Sequence, residues 1–140
     1  MPSSQKRSVP VNGSSPFSYA VYRVVPRVER GERLNVGVVV FCRPLEFLSA
    51  RTHLDAQRLA ALWPELDPST VRPHLQAIER IAAGDPAAGE IARLDETARF
   101  HWLVSPSSTI IQPSAVHTGL CDDPVSQLDR LFESLVAVPG

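Results

Sequence analysis

The sequence predicts a single domain of the α+β class, with a mostly antiparallel sheet and helices packed on one face of it. Three observations support this. Strand-like segments come first in the chain, helical segments follow, and two short strand-like segments precede a last helix. The 140 residues are 44 % hydrophobic and 21 % charged, which is typical of one folded domain. The sequence contains no internal repeat that would indicate a second domain.

The first residues of the chain do not belong to the predicted domain. Residues 1–16 are rich in Ser, Pro, Gly and Asn, so we expect a disordered tail and a single domain over residues 17–140. No secretory leader and no long apolar run are visible, so we expect a cytoplasmic protein with no membrane partner. Cys42 and Cys121 follow no metal or disulfide spacing, which favours free thiols in a reducing compartment.

The first half of the domain is predicted to form three strands. Residues 19–25 are mostly β-branched or aromatic, and Pro26 ends this segment. Residues 34–42 are apolar at nearly every position, which predicts a central strand covered on both faces. Residues 45–51 follow an Arg-Pro turn, and we expect them to pair antiparallel with the second strand.

Two helices are predicted in the middle of the chain. The first spans residues 55–63, and the second spans residues 69–83 and stops at Gly84. The second helix has an apolar stripe, which consists of Val71, Leu75, Ile78, Ile81 and Ala82. Pro73 fits this helix only if it lies in the first turn, where no backbone donor is lost.

The last third of the domain is irregular until its final helix. Residues 84–104 follow no single pattern, and the end of this segment fits either a short helix or an edge strand. Residues 109–112 and 115–118 predict two short strands. The final helix is predicted to begin at Pro124, with Asp123 as its cap.

A highly charged connection joins the first two strands. Its seven residues include three arginines and two glutamates, which are Arg27, Arg30, Arg33, Glu29 and Glu32. Exposed ion pairs contribute only about 0–1 kcal/mol each, so a stabilising role is a weak explanation. Two interpretations stay open: a solvated turn that protects a strand edge, or a surface that recognises an anion or a partner. Asn35, a polar residue at the mouth of the apolar strand, favours recognition.

Residues 84–91 have the glycine spacing of a phosphate-binding loop. Glu90 and Ile91 occupy the positions where that loop needs Lys and then Ser or Thr. A carboxylate at this place repels phosphate, so the sequence excludes that function here.

Residues 117–123 concentrate chemically active side chains. A zinc site needs three or four convergent ligands, and His117, Cys121 and Asp122 supply at most three. A Cys-His nucleophile pair is a second interpretation, because Cys121 lies near a helix N-terminus. A third is that the aspartates cap the final helix. We predict the cap, with no metal and no cofactor.

Several separated motifs keep a common order along the chain: Tyr22–Pro26, Glu29–Glu32, Asn35–Val39, Arg99–Leu103, Gln112–Ser114, His117–Leu120 and Leu131–Phe132. Over about residues 17–137, the chain resembles the bacterial family called domain of unknown function 3037. The resemblance implies a small cytoplasmic protein with no established reaction. It also implies a kinase-like protein partner related to the HipA toxin, and it supplies no catalytic residues.

The leading functional hypothesis is a non-enzymatic binding or accessory module for a protein partner or an anionic ligand. The evidence is a charged connection beside a rigid sheet, in a sequence without a catalytic signature. The candidate site residues are Arg27, Glu29, Arg30, Glu32, Asn35, Arg99 and His117.

Two alternatives are weighed against it. The first is a small hydrolase or transferase for a phosphorylated substrate, in which an arginine holds the anion and Glu29, Glu32 or His117 acts as acid or base. It requires His117 to lie within about 10 Å of the charged connection. The second is a nucleic-acid binder, and the net charge of −1 disfavours it. Its basic face consists of Arg23, Arg27, Arg30, Arg33 and Arg51.

Overall fold

The computed structural model describes residues 14–26, 33–106 and 109–137. In these ranges the chain forms five strands and four helices. In chain order they are β1 Ser15–Val24, β2 Leu34–Cys42, β3 Phe47–Thr52, α1 Ala56–Leu62, α2 Pro68–Ala83, α3 Glu96–Leu103, β4 Ile111–Pro113, β5 His117–Cys121 and α4 Pro124–Leu135. Short 3₁₀ turns occupy Arg43–Leu45, Pro86–Ala88 and Ile91–Arg93.

The strands form one antiparallel sheet in the order β3-β2-β1-β4. β5 also pairs with β1, on the same side as β4 but along the first half of the strand. β1 and β2 therefore lie inside the sheet, where apolar side chains are favoured on both faces. The α+β class, the antiparallel pairing of β2 with β3 and the covered second strand are confirmed.

Helices cover both faces of the sheet. α1, α2 and α3 pack on one face, in a core that includes Val36 and Val39, while α4 packs on the other face against Val38 and Val40. The sequence led us to expect helices on one face only. The difference arises because β2 has apolar side chains on both faces, and each face needs a cover.

A β-bulge explains how β2 serves both cores. The register between β1 and β2 shifts between Tyr22 and Arg23, which leaves Val36 as an extra residue in β2. Leu34 and Val36 consequently face the three-helix core, and Val38 faces α4.

The helix ends follow the sequence signals. An aspartate precedes each of the four helices of the described chain and accepts a backbone N–H, as Asp123 does from Val125. Gly84 ends α2 at φ 73°, a left-handed conformation that glycine adopts without strain. The predicted cap of the final helix is thus confirmed, and so is Pro124 as its first residue.

Three local details concern points that the sequence left open or predicted differently. Pro73 lies in the second turn of α2, not in the first; both it and Ser69, whose carbonyl loses the helical donor, are exposed to solvent. The end of the irregular segment is helical, as α3. Residues 1–13 of the expected tail lie outside the described residues, and β1 begins at Ser15.

Candidate functional site

The charged connection leaves the sheet where β1 ends and β2 begins. Four candidate residues, which are Arg27, Glu29, Arg30 and Glu32, lie outside the described residues. Their described neighbours, Pro26 and Arg33, mark this end of the sheet. The other three candidates, Asn35, Arg99 and His117, lie in three separate places.

Asn35 joins β2 to the end of α4. Its Nδ2 donates to the carbonyl oxygen of Leu135 at 3.0 Å. A helix leaves its last carbonyl groups without intrahelical partners, and basic side chains often satisfy them. Because Asn35 takes this role, the arginines near the same helix end keep their donors for other acceptors.

Arg99 has a structural role. Its two terminal nitrogens donate to the carbonyl oxygens of Leu94, at 2.8 Å, and Ala82, at 3.3 Å. The guanidinium lies against Gly84, where a β-carbon would come within 3.3 Å of its central carbon. Arg99 thereby ties the end of α2 to the turn that precedes α3. These contacts occupy it, and we leave it out of the proposed site.

His117 is exposed on β5 and far along the sheet from the charged connection. It pairs with Tyr19 in the register, and the two ring centroids are 5.2 Å apart. Val25, the residue after β1, lies six positions beyond Tyr19, which at strand spacing is about 20 Å. The described residues therefore do not bring His117 together with the ends of the connection, so His117 does not supply an acid or base there.

The cluster that contains Cys121 does not form a reactive centre. Burial, with a smaller contribution from the neighbouring Cys42, raises the pKa of the Cys121 thiol to about 11. A nucleophilic cysteine needs a lowered pKa, so the Cys-His interpretation is disfavoured. Asp123 accepts hydrogen bonds from Val125 N–H and the Ser126 hydroxyl, as a cap does. Within the described ranges, no group of three metal-ligating side chains converges.

A small cleft lies at the same end of the sheet as the charged connection. We call it the arginine cleft; its lining residues are Arg33, Leu34, Asn35, Arg58, Leu135 and Val136. Its volume is about 290 Å³. Three elements build it: the start of β2, the first turn of α1 and the end of α4. Arg23 lies beside it, opposite Asn35 in the sheet register.

The arginine cleft carries positive charge that no carboxylate of the described residues compensates. Partial burial lowers the pKa of Arg23, and the nearby guanidinium of Arg33 lowers it further, so the two cations repel each other. No carboxylate among the described residues forms an ion pair with Arg23, Arg33 or Arg58, whereas Arg51 and Arg80 each have one. Converging arginines without acidic partners are suited to bind an anion.

Sequence reasoning missed Arg58. It lies more than twenty positions after Arg33 on a helix, and no motif relates the two residues. Arg23 was considered only as part of a nucleic-acid surface, whereas Arg33 also belongs to the charged connection. Arg51, the last member of that surface, instead pairs with Asp129 against α4.

Among the described residues, no helix is both long and apolar enough to cross a membrane. Comparison with curated proteins and with solved structures yields no match. The model of the family described as protein of unknown function (DUF3037) matches residues 19–136, which is most of the chain. This chain therefore belongs to that family.

Proposed function

We propose that this protein is a non-enzymatic binding module whose arginine cleft receives an acidic group from a protein partner. One observation carries the proposal: Arg33 and Arg58 line one cleft at the end of the sheet, Arg23 is close enough to Arg33 to be repelled by it, and no described carboxylate forms an ion pair with any of the three. A folded protein usually compensates such charges, since their mutual repulsion costs stability. Charges that are left uncompensated are available to a ligand.

The arginine cleft has room for the head group of an acidic side chain. Its volume of about 290 Å³ is at the lower end of the usual range of small-molecule sites, about 300–1,000 Å³. A carboxylate or a phosphate group fits this space, and the planar guanidinium binds either through two parallel hydrogen bonds. The hydrogen bond from Asn35 to Leu135 holds the cleft wall in place.

The charged connection extends the proposed surface. It is continuous with Arg33 in the sequence and adds Arg27 and Arg30, with Glu29 and Glu32 for basic groups of a partner. The family resemblance implies a kinase-like partner related to HipA, and the proposal needs a protein partner. We place the complex in the cytoplasm, and the two free cysteines support a reducing compartment.

The test compares two double variants that remove the same charge. Arg33→Ala/Arg58→Ala removes the cleft arginines, and Arg72→Ala/Arg93→Ala removes two exposed arginines that do not line it. Binding of a phosphoserine peptide, an aspartate peptide and a neutral serine peptide is measured by calorimetry, with melting temperature as the folding control. We expect the cleft variant to bind both acidic peptides at least tenfold more weakly, and the control less than twofold.

Two outcomes contradict the proposal. Equal losses in both double variants indicate a net-charge effect instead of a site. Equal affinity of the wild type for acidic and neutral peptides indicates that the cleft does not select anions. Co-purification of the protein with a kinase-like partner, lost in the cleft variant and kept in the control, tests the identity of that partner.

A further inference from the structure

A second cleft lies on the three-helix side of the sheet, between α2, α3 and β4. We call it the aromatic cleft; its main lining residues are Tyr22, His74, Ile78, Trp102, Ile111 and Pro113. Its volume is about 420 Å³, which is within the usual range of small-molecule sites. It shares no lining residue with the arginine cleft. The proposal below therefore stands independently of the proposed function.

The floor of the aromatic cleft is apolar and its rim is polar. Tyr22, Ile78 and Ile111 are buried at the floor. The Tyr22 hydroxyl donates to the carbonyl oxygen of Leu103 at 2.8 Å, so the phenol is held rigidly in the wall. His74, on the exposed side of α2, makes no hydrogen bond with any described residue, and its ring nitrogens are free to meet a ligand.

Trp102 provides a flat wall that is open to a ligand. Its side chain is 48 % exposed, whereas Trp63, the other tryptophan of the chain, is 1 % exposed in the core. An exposed indole face stacks on planar rings, including those of nucleobases. Pro113 adds an apolar ring from β4.

The lack of charged residues in the described lining limits the class of ligand that the aromatic cleft can bind. None of the residues that line the aromatic cleft is Asp, Glu, Lys or Arg. A charged group in this cleft would lose hydration without gaining a counter-ion, which is unfavourable. The part of the ligand that enters is therefore uncharged, and its hydrogen-bonding groups lie at the edge that faces His74.

We propose that the aromatic cleft binds an uncharged, planar heteroaromatic ring of about the size of a purine. The ring stacks on Trp102, covers the apolar floor beside Tyr22, and directs a polar edge to His74. Phosphates or sugars attached to such a ring remain outside the cleft, because the lining offers them no cation.

The experiment uses adenine as the probe and two variants of the aromatic cleft, of which one removes a lining side chain and the other adds bulk. Trp102→Ala removes the stacking wall, and Ala77→Trp fills the cleft from an exposed position on α2 that lines it. Leu94→Ala, which truncates a side chain that is 43 % exposed and outside the cleft, is the control. Calorimetry gives the affinity, and tryptophan fluorescence reports stacking on Trp102.

We expect the wild type to bind adenine with a millimolar or tighter dissociation constant, together with quenching of tryptophan fluorescence. Both cleft variants should lose at least tenfold in affinity, while Leu94→Ala stays within twofold of the wild type. Adenosine monophosphate should bind no more than threefold more tightly than adenine. Because Ala77→Trp keeps every wild-type contact of the floor, its loss of binding does not depend on misfolding.

Three results would overturn the proposal. The first is a wild type that shows no saturable binding of adenine up to 10 mM. The second is unchanged affinity in Trp102→Ala and Ala77→Trp. The third is much tighter binding of adenosine monophosphate than of adenine, which identifies a phosphate site instead. Loss of peptide binding at the arginine cleft leaves all three measurements unaffected, so the two proposals fail separately.

Discussion

Two regions of this protein use arginine in opposite ways. In the first, around α2, α3 and α4, three arginines have partners: Arg51 with Asp129 at 2.7 Å, Arg80 with Asp85 at 3.0 Å, and Arg99 with two carbonyl oxygens. In the second, at the arginine cleft, Arg33 and Arg58 have no described carboxylate beside them. The comparison teaches that the neighbours of an arginine, and not its residue type, decide whether it stabilises the fold or remains available to a ligand.

The largest expected effect concerns Arg99. Arg99→Ala removes two charge-assisted hydrogen bonds and leaves the carbonyls of Leu94 and Ala82 without this donor. Hydrogen bonds from charged groups contribute about 1.5–3 kcal/mol, and Arg99 is partly exposed, so we expect the free energy of unfolding to fall by about 2 kcal/mol. Urea denaturation measures it. Arg93→Ala, at an exposed site, should change it by less than about 0.5 kcal/mol; equal effects would contradict a structural role for Arg99.

The next effect separates two contacts of Arg51. Its guanidinium lies 4.1 Å from the centre of the Phe132 ring and also pairs with Asp129. A cation–π contact contributes about 0.5–1 kcal/mol at exposed sites, and an exposed ion pair about 0–1 kcal/mol. We expect Arg51→Ala to lower the free energy of unfolding by about 1 kcal/mol and Asp129→Asn by less than half of that. If Asp129→Asn costs as much as Arg51→Ala, the ring contact contributes nothing.

Removal of a cleft arginine should not lower the free energy of unfolding, in contrast to removal of Arg99 or Arg51. Removing Arg33 relieves its repulsion of Arg23, so Arg33→Ala should leave the free energy of unfolding unchanged or raise it by up to about 0.5 kcal/mol. Added salt should reduce that gain, because it screens the repulsion in the wild type. Urea denaturation at low and at high salt measures both effects. A clear loss of stability in Arg33→Ala would show that Arg33 has a structural partner and would remove the contrast between the two regions.

The smallest effect concerns the pKa of Asp85. The backbone N–H of Ala87 holds this pKa below its usual value, and Arg80 lowers it further. A lowered folded-state pKa adds stability above the ordinary pKa of 3.8, and this is lost as the pH falls through the folded value. In Arg80→Ala we expect the pKa to rise but to stay below the ordinary value. Carbon-detected NMR titration measures it, and a full return to the ordinary value would assign the effect to Arg80 alone.

Local signals predicted most of the secondary structure correctly. The apolar stripe of α2 with Gly84 after it, the Asp123 cap and the apolar second strand all depend on residues within one or two turns of each other. The expectation that Pro73 lies in the first turn of α2 was wrong. It assumed that the carbonyl group left without a helical donor cannot be satisfied, but the carbonyl of Ser69 is exposed and water can bond to it.

The candidate site was predictable only in part. The charged connection is next to Arg33 in sequence, and Asn35, which the sequence singled out, lines the proposed arginine cleft. Arg58 comes from another element, and Arg99 was misread because its acceptors are backbone carbonyls, which no side-chain pattern reveals. Likewise, nothing in the sequence indicated that Trp102 would remain half-exposed while Trp63 was buried.

The sequence by itself determined the first three strands, the helices other than α3, and the cap of α4, since hydrophobic periodicity and capping act over a few neighbouring residues. Only the tertiary structure decided that α4 would cover the second face of the sheet, that burial would raise the pKa of Cys121, and that Arg33 and Arg58 would line one cleft. These outcomes depend on strand register, including the bulge at Val36, and on packing between elements that are distant in the chain.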